Sequence, residues 1–188
     1  VNRGKFPTLA YQNQNNEKAY KSLETIVDSN PKIIFVGHDK EIIMNNNIKI
    51  EMNANKNNIT FARGAISAFL MNLPLTLNFL NEIKTIISEA VTNAIVHGYL
   101  NDESKKVFLE FDLQDDELQL IIKDKGVGIE NIEKAKEPLF STKLQEERAG
   151  LGFTIMEVFS DSLQIISEVN KGTTIICKKK MIYIEDDE

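Results

Sequence analysis

Three groups of residues in this sequence have types and spacings suited to chemistry. Glu89, Asn93 and His97 recur at four-residue steps, so on a helix they would share one stripe. A carboxylate beside an amide offers oxygen ligands suited to magnesium, and it equally suits a base next to a metal-bound phosphate. Asp124-Lys125-Gly126-Val127-Gly128 follows a strand-like run. A carboxylate there can accept a hydrogen bond from an exocyclic amine such as that of adenine, and paired glycines let backbone pass close to a flat ligand. Gly150-Leu151-Gly152 opens an apolar stretch. Glycines before a helix expose backbone N–H groups to an anion, and the helix dipole favours negative charge there.

Each group alone also fits a plainer reading: a solvated helix face, a glycine turn, a glycine helix entry. The third is not a P-loop, because no Gly-Lys-Ser/Thr follows, and no β-α-β unit surrounds it as a dinucleotide fingerprint requires. Between the glycine pairs lie Pro138-Leu139-Phe140-Ser141-Thr142-Lys143 and Gln145-Glu146-Glu147-Arg148. Such a loop can close over a phosphate, with Lys143 or Arg148 supplying positive charge. Thr173 and Thr174 after Gly172 bring a hydroxyl near the Asp124 end. The order of these signals is more specific than any one of them, and it points to a nucleotide site.

The elements that must position these residues follow from periodicity. Helical spacing runs from about Ile59 to Leu73, with Pro74 as a boundary. A second helix over about Thr76 to His97 places Ile83, Ile86, Ile87, Ala90, Val91, Ala94 and Ile95 at steps of three and four, with Gly98 as its stop. Ile48, Ile50 and Met52 alternate through an asparagine-rich stretch and predict a strand over 47–54. Val107 to Leu113 and Leu118 to Ile122 alternate around Asp115-Asp116 and predict an antiparallel hairpin. A short helix near Gly152 to Phe159 precedes a final hairpin, 162–168 with 173–179, turning at Asn170-Lys171-Gly172. The fold class is therefore α+β, a two-layer arrangement with helices on one face of a mostly antiparallel sheet.

Composition narrows the function. The 188 residues carry a net charge of −6, which argues against sequence-independent nucleic-acid binding. One cysteine, Cys177, excludes an internal disulfide, and two histidines make a histidine-rich metal centre improbable. Apolar runs are far shorter than the roughly 20 residues a membrane span needs. A cytoplasmic enzyme or protein-binding module is what this leaves.

The chain resembles the GHKL family of ATP-binding proteins, and within it the anti-sigma factor branch of endospore-forming bacteria. The stretches that carry the resemblance are Glu89-Ala-Val-Thr-Asn-Ala-Ile-Val-His-Gly98, Pro138 to Lys143, Gly152-Phe-Thr-Ile-Met-Glu157 and Ser167 to Thr174, within a match over roughly 44–180. Neither a phosphoacceptor-histidine hairpin nor room for a gyrase-type transducer domain is seen. The resemblance implies a Bergerat-type ATP-binding fold, ATP and magnesium as cofactors, and a homodimer. It further implies capture of a sporulation sigma factor and phosphorylation of a serine on an anti-anti-sigma factor. By the same resemblance Asn93 coordinates magnesium, Glu89 acts as base, and Asp124 binds the adenine amino group with support from Gly126, Gly128 and Thr173. Residues 138–150 form an ATP lid containing Thr142 and Lys143. The Gly150 and Gly152 amides lie near the phosphates, Arg148 near the terminal phosphate, and Arg63 contacts partner proteins. Two alternatives remain: an ATP-gated binder without turnover, and a switch kinase of a stress-response sigma factor.

Residues 1–43 have no counterpart in that family and are expected to be a poorly ordered extension or the product of a start read too far upstream. The kinase domain is expected over 44–180, followed by an acidic tail over 181–188.

Overall fold

The computed structural model describes residues 33–37, 40–44, 47–137 and 150–184. The amphipathic stretch Glu17 to Val27, the loop bearing Thr142, Lys143 and Arg148, and the acidic end of the tail lie outside the described residues. The chain divides into two units, Val1–Asn47 and Ile48–Glu188. In the first, β1 (Ile33–Gly37) pairs antiparallel with β2 (Lys40–Met44), Phe35 opposite Ile42. The run Lys32 to Val36, closed by Gly37, reads as a strand from sequence; the second strand, Lys-Glu-Ile-Ile-Met, does not.

In the second unit the helices form where the apolar spacing demands them. Helix α1 (Asn58–Leu70) buries Ala62, Ile66 and Leu70 at steps of four. It stops three residues short of the expected Leu73. Pro74 disfavours helical backbone in the residue before it, and Leu73 instead donates its N–H to the Leu70 carbonyl at 3.0 Å. Helix α2 (Leu77–Thr92) starts at Thr76, whose hydroxyl accepts the Phe79 N–H at 3.3 Å, a standard N-cap. It buries Phe79, Ile83, Ile86, Ile87, Ala90 and Val91. Beyond Thr92 the helix widens into a π turn, Asn93–Gly98.

The sheet contains β3 (Asn47–Asn53), β4 (Lys106–Gln114), β5 (Glu117–Lys123), β6 (Ser162–Glu168) and β7 (Gly172–Lys180), in the order β3-β4-β5-β7-β6. The β4–β5, β5–β7 and β6–β7 pairs are antiparallel. Leu109 lies opposite Ile122, and Ile122 opposite Ile175, so one apolar row crosses three strands. Val107, Phe111, Leu113, Leu118, Leu120 and Cys177 complete this buried face. Burial pushes the Cys177 thiol up to about 12, so it is a core side chain with little thiolate to react. The alternate positions are mixed: Lys49 lies 3.4 Å from Glu110 and Lys178 2.9 Å from Glu117, while Phe108, Ile121 and Ile176 share that face, half-buried.

Helix α2 is the centre of the helical layer, packing against α1, against α4 (Gly152–Phe159) and on β5. Lys179 of β7, only 11% exposed, bridges to Glu82 of α2 at 3.0 Å and ties the layers together. A short helix absent from the sequence reading, α3 (Ile132–Lys136), buries nothing and is held at its start by the Asn131 side chain accepting from the Lys134 N–H. Among the described residues no helix is long and apolar enough to cross a membrane.

Candidate functional site

The site residues come from the end of β5, the start of α4, the β6–β7 hairpin and α2 with its π turn. Asp124 follows the last residue of β5, where the strand's backbone pairing carries on for one more bond, from the Asp124 N–H to the Thr173 carbonyl at 2.9 Å. Its side chain is 4% exposed. The Gly126 N–H donates to Oδ1 at 2.8 Å and the Thr173 N–H to the same oxygen at 3.3 Å. Burial raises the carboxyl above the usual carboxylate range, and these two bonds partly offset the shift. Both bonds fall on Oδ1, which leaves Oδ2 to accept from a ligand. A buried acceptor held in place, with no ion-pair partner among the described residues, suits the exocyclic amine of a purine.

Gly98 is the helix stop expected from sequence, but its reason lies across the fold. A Cβ at Gly98 would stand 2.8 Å from Asp124 Oδ1. Its carbonyl accepts the Val127 N–H at 2.9 Å, which seats the glycine loop on the π turn. Gly126 and Gly128 were read as making room for a flat ligand. Protein backbone already demands both: a Cβ at Gly126 would run into the Gly98 carbonyl, and one at Gly128 into the Glu168 carbonyl, where φ is +72° as well. Changing Gly126 to alanine is therefore expected to cost about 1–3 kcal/mol through overpacking, a fall of several degrees in Tm. Gly64, in α1 with nothing within 4 Å of its Cβ position, gives the contrast. Gly64→Ala should gain about 1 kcal/mol from helix propensity. Thermal melts of the two variants side by side check both signs.

Thr173 is 7% exposed, and its Oγ1 lies 2.9 Å from Ser167 Oγ. Ser167 in turn accepts the Ile129 N–H at 2.9 Å and donates toward the Gly172 carbonyl at 3.0 Å. The hydroxyl pair thus locks the glycine loop to the last hairpin. Ser167 lay inside a stretch singled out from sequence but received no role there.

The second cluster stands at the mouth of α4. Glu89 and Asn93, one turn apart on the α2 axis, are both half-buried. A Cβ on Gly152 would stand 3.2 Å from Glu89 Oε2 and 3.3 Å from Asn93 Nδ2. The first residue of α4 is therefore pressed against the carboxylate and the amide. Leu151 precedes the helix and supplies no side-chain cap, and helix N-terminal N–H groups of this kind can receive an anion. Gly150, with φ +93°, reverses the chain just before. Thr154 Oγ1 in that first turn is a buried oxygen with no hydrogen-bond partner among the described residues. An orphaned hydroxyl, uncapped amides and a carboxylate–amide pair fit the phosphate end of a nucleotide, as Asp124 fits its base. His97, on the same stripe by spacing, is exposed on the π turn.

Arg63 sits on α1, exposed, with Nη1 donating to Ser88 Oγ of α2 at 3.1 Å. It belongs to an outer face of the helical layer. Thr142, Lys143 and Arg148 lie outside the described residues. Tyr99, immediately after Gly98, escaped the sequence reading: it is buried, and its hydroxyl accepts the Lys125 N–H at 2.7 Å and donates to the Lys106 carbonyl at 2.5 Å. A tyrosine directly after a helix stop was the only signal, and it does not reveal a partner 26 residues away.

Known proteins resemble this chain in sequence and in fold. An anti-sigma F factor of Clostridium perfringens (strain SM101 / Type A) is 52% identical over 138 residues, 73% of this chain and 99% of that protein. The anti-sigma F factor of Geobacillus sp. (strain WCH70) is 51% identical over 136 residues, 72% of this chain and 93% of that protein. Among solved structures, the RsbU and RsbW domains of Rv1364c from Mycobacterium tuberculosis superpose with a TM-score of 0.56 at 17% identity, over 78% of this chain and 36% of that one, a likeness of fold. The histidine kinase-like ATPase domain matches residues 52–179, the span that holds both clusters. The Asp124 pocket at one end and the Glu89–Asn93–Gly152 junction at the other are thus parts of one ATP-binding domain, and the chain belongs to the histidine kinase-like ATPase family, among the anti-sigma F factors.

Proposed function

We propose that this chain is a serine-protein kinase that also holds a sporulation sigma factor, and that its substrate is a serine of an anti-anti-sigma factor. The observation that carries the reading is the meeting of Glu89, Asn93 and Gly152 at the start of α4. A domain that used ATP only to set its shape would need Asp124 and the helix amides, but no carboxylate beside the phosphate end. The names of the relatives support the sigma-factor partner.

ATP, with its magnesium ion, supplies the phosphoryl group. Asp124 takes the adenine amino group on Oδ2, with Gly126, Gly128 and Thr173 holding the carboxylate and its loop. The Gly150 and Gly152 amides would hold the phosphates, and Asn93 would lend its amide oxygen to magnesium. Among the described residues no three His, Cys, Asp or Glu side chains converge to hold a metal, so the ion would draw its other ligands from the nucleotide and water, as magnesium commonly does. Asn93→Ala should therefore weaken nucleotide binding in magnesium but not in EDTA. Calorimetric titrations in the two buffers test this, and an unchanged magnesium dependence removes Asn93 from the role.

Glu89 takes the proton of the attacking serine hydroxyl. Positioning and charge neutralisation do the rest in phosphoryl transfer, and Thr142, Lys143 and Arg148 of the lid are assigned to that task by family resemblance. Arg63, exposed on α1, is assigned to partner contact, and the chain to a homodimer.

Incubation with labelled ATP, magnesium and a candidate anti-anti-sigma protein decides the matter. Label on a partner serine is the expected result. ATP bound without transfer would leave an ATP-gated binder, and transfer only to a stress-response partner would move the chain to the related switch kinases.

A further inference from the structure

Four successive backbone N–H groups fix the turn that carries Asp124. The Asp124 N–H ends on the Thr173 carbonyl, the Gly126 N–H on Asp124 itself, and the Val127 N–H on the Gly98 carbonyl. The fourth, from Lys125, ends on a side chain: the Tyr99 hydroxyl, at 2.7 Å. That hydroxyl is itself aimed by a second bond, to the Lys106 carbonyl at 2.5 Å, and the ring is 7% exposed. Tyr99 reaches this place because the π turn delivers it there, its own N–H bonding back five residues to the Ala94 carbonyl at 2.9 Å. On the far side, the Lys125 ammonium lies 5.2 Å from the centre of the Phe108 ring, so Lys125 is gripped at its amide and at its side-chain end. Burial raises the Tyr99 phenol above its ordinary range, which keeps it protonated and able to donate to Lys106.

We propose that Tyr99 is a positioning residue for base selection, holding the Lys125 amide so that the Asp124 carboxylate keeps Oδ2 turned toward the amino group of the purine. The inference rests on the assignment of Asp124 to the adenine amine. Among the described residues the other hydrogen bond between this turn and the π turn is at Val127, two residues beyond Lys125, whose N–H ends on the Gly98 carbonyl. Without the phenol oxygen the Lys125 N–H loses its protein partner in a part-buried setting. The peptide between Asp124 and Lys125 can then tilt, which shifts the Gly126 N–H that holds Oδ1 and loosens the aim of the carboxylate. Affinity for the triphosphate, which is set at the other end of the site, should hardly change.

The test compares ATP with purine riboside triphosphate, which lacks the 6-amino group, as competitors for binding to the full chain. The wild type should prefer ATP by about tenfold or more, the worth of a hydrogen bond to a charged group. Tyr99→Phe should bring the preference to within about threefold, while its affinity for purine riboside triphosphate stays within about threefold of wild type. Because Tyr99→Phe also strips the Lys106 carbonyl and can unfold the chain, 4-aminophenylalanine at position 99 provides the second variant. It retains the ring and the donor to Lys106, is a poor acceptor for Lys125, and should lose the preference equally. Equal weakening of both nucleotides would reduce Tyr99 to a structural staple and overturn the proposal. So would a wild-type preference in either variant. A wild type with no preference for ATP would instead overturn the assignment of Asp124 and the proposal with it.

Discussion

Asp124→Asn should abolish useful ATP binding while leaving the protein at least as stable as before. Asparagine has the shape of aspartate, and its Oδ1 can still accept the Gly126 and Thr173 N–H groups that now bind the carboxylate at 2.8 and 3.3 Å. The other position changes from acceptor to donor and meets the amino group of adenine donor to donor. A hydrogen bond to a charged group is worth about 1.5–3 kcal/mol, so a loss of about 100-fold in affinity is expected once the mismatch is added. Stability moves the other way. Burial raises the Asp124 pKa in the folded chain, so the stability linked to this group is fully present below the unfolded pKa. It is lost as pH rises through the folded value. Asparagine has no such dependence. Titration calorimetry with ATP and melts at several pH values separate the two effects. A variant that still binds ATP like wild type refutes the assignment, and a steep loss of Tm would make the carboxylate a structural group.

Glu89→Ala carries the second large effect, on chemistry rather than binding. General-base assistance supplies about 10²–10⁴-fold, so phosphoryl transfer should fall by that range. ATP affinity should stay within a few-fold, because the adenine end and the α4 amides are untouched. Glu89→Gln should behave like alanine in transfer despite its nearly unchanged shape, which separates a base from a spacer. Single-turnover transfer and equilibrium binding, measured on the same preparations, provide the comparison. Equal turnover by mutant and wild type would remove Glu89 from the mechanism.

The parts of this fold that sequence made legible are those in which neighbours along the chain settle the outcome. Leu118, Leu120 and Ile122 alternate because one face of β5 is buried, and Gly152 to Phe159 is helical because its apolar residues fall on helical steps. Asn170 could be read as a turn because asparagine tolerates the left-handed region, and it has φ +62°. What escaped was set by partners far away in sequence. The α3 helix has no buried face to leave a pattern. Gly98 was placed correctly as a stop, yet the need for glycine comes from a carboxylate 26 positions later. The Glu89–Asn93 stripe was visible; that α4 presses Gly152 against it was not, because residues 59 or more positions apart meet there only through tertiary packing.

The π turn at Asn93–Gly98 fixes the site as a reading frame fixes a message. Deleting one residue between Asn93 and Gly98 would restore an ordinary α-helix, with better hydrogen-bond geometry along its length. It would also swing everything downstream by about 100°, taking the Gly98 carbonyl from Val127 and the Tyr99 hydroxyl from Lys125. The most regular helix this segment can form and the working pocket are therefore mutually exclusive. Length variation in this family should be tolerated in the loop after Leu100 and purged from the six residues of the π turn.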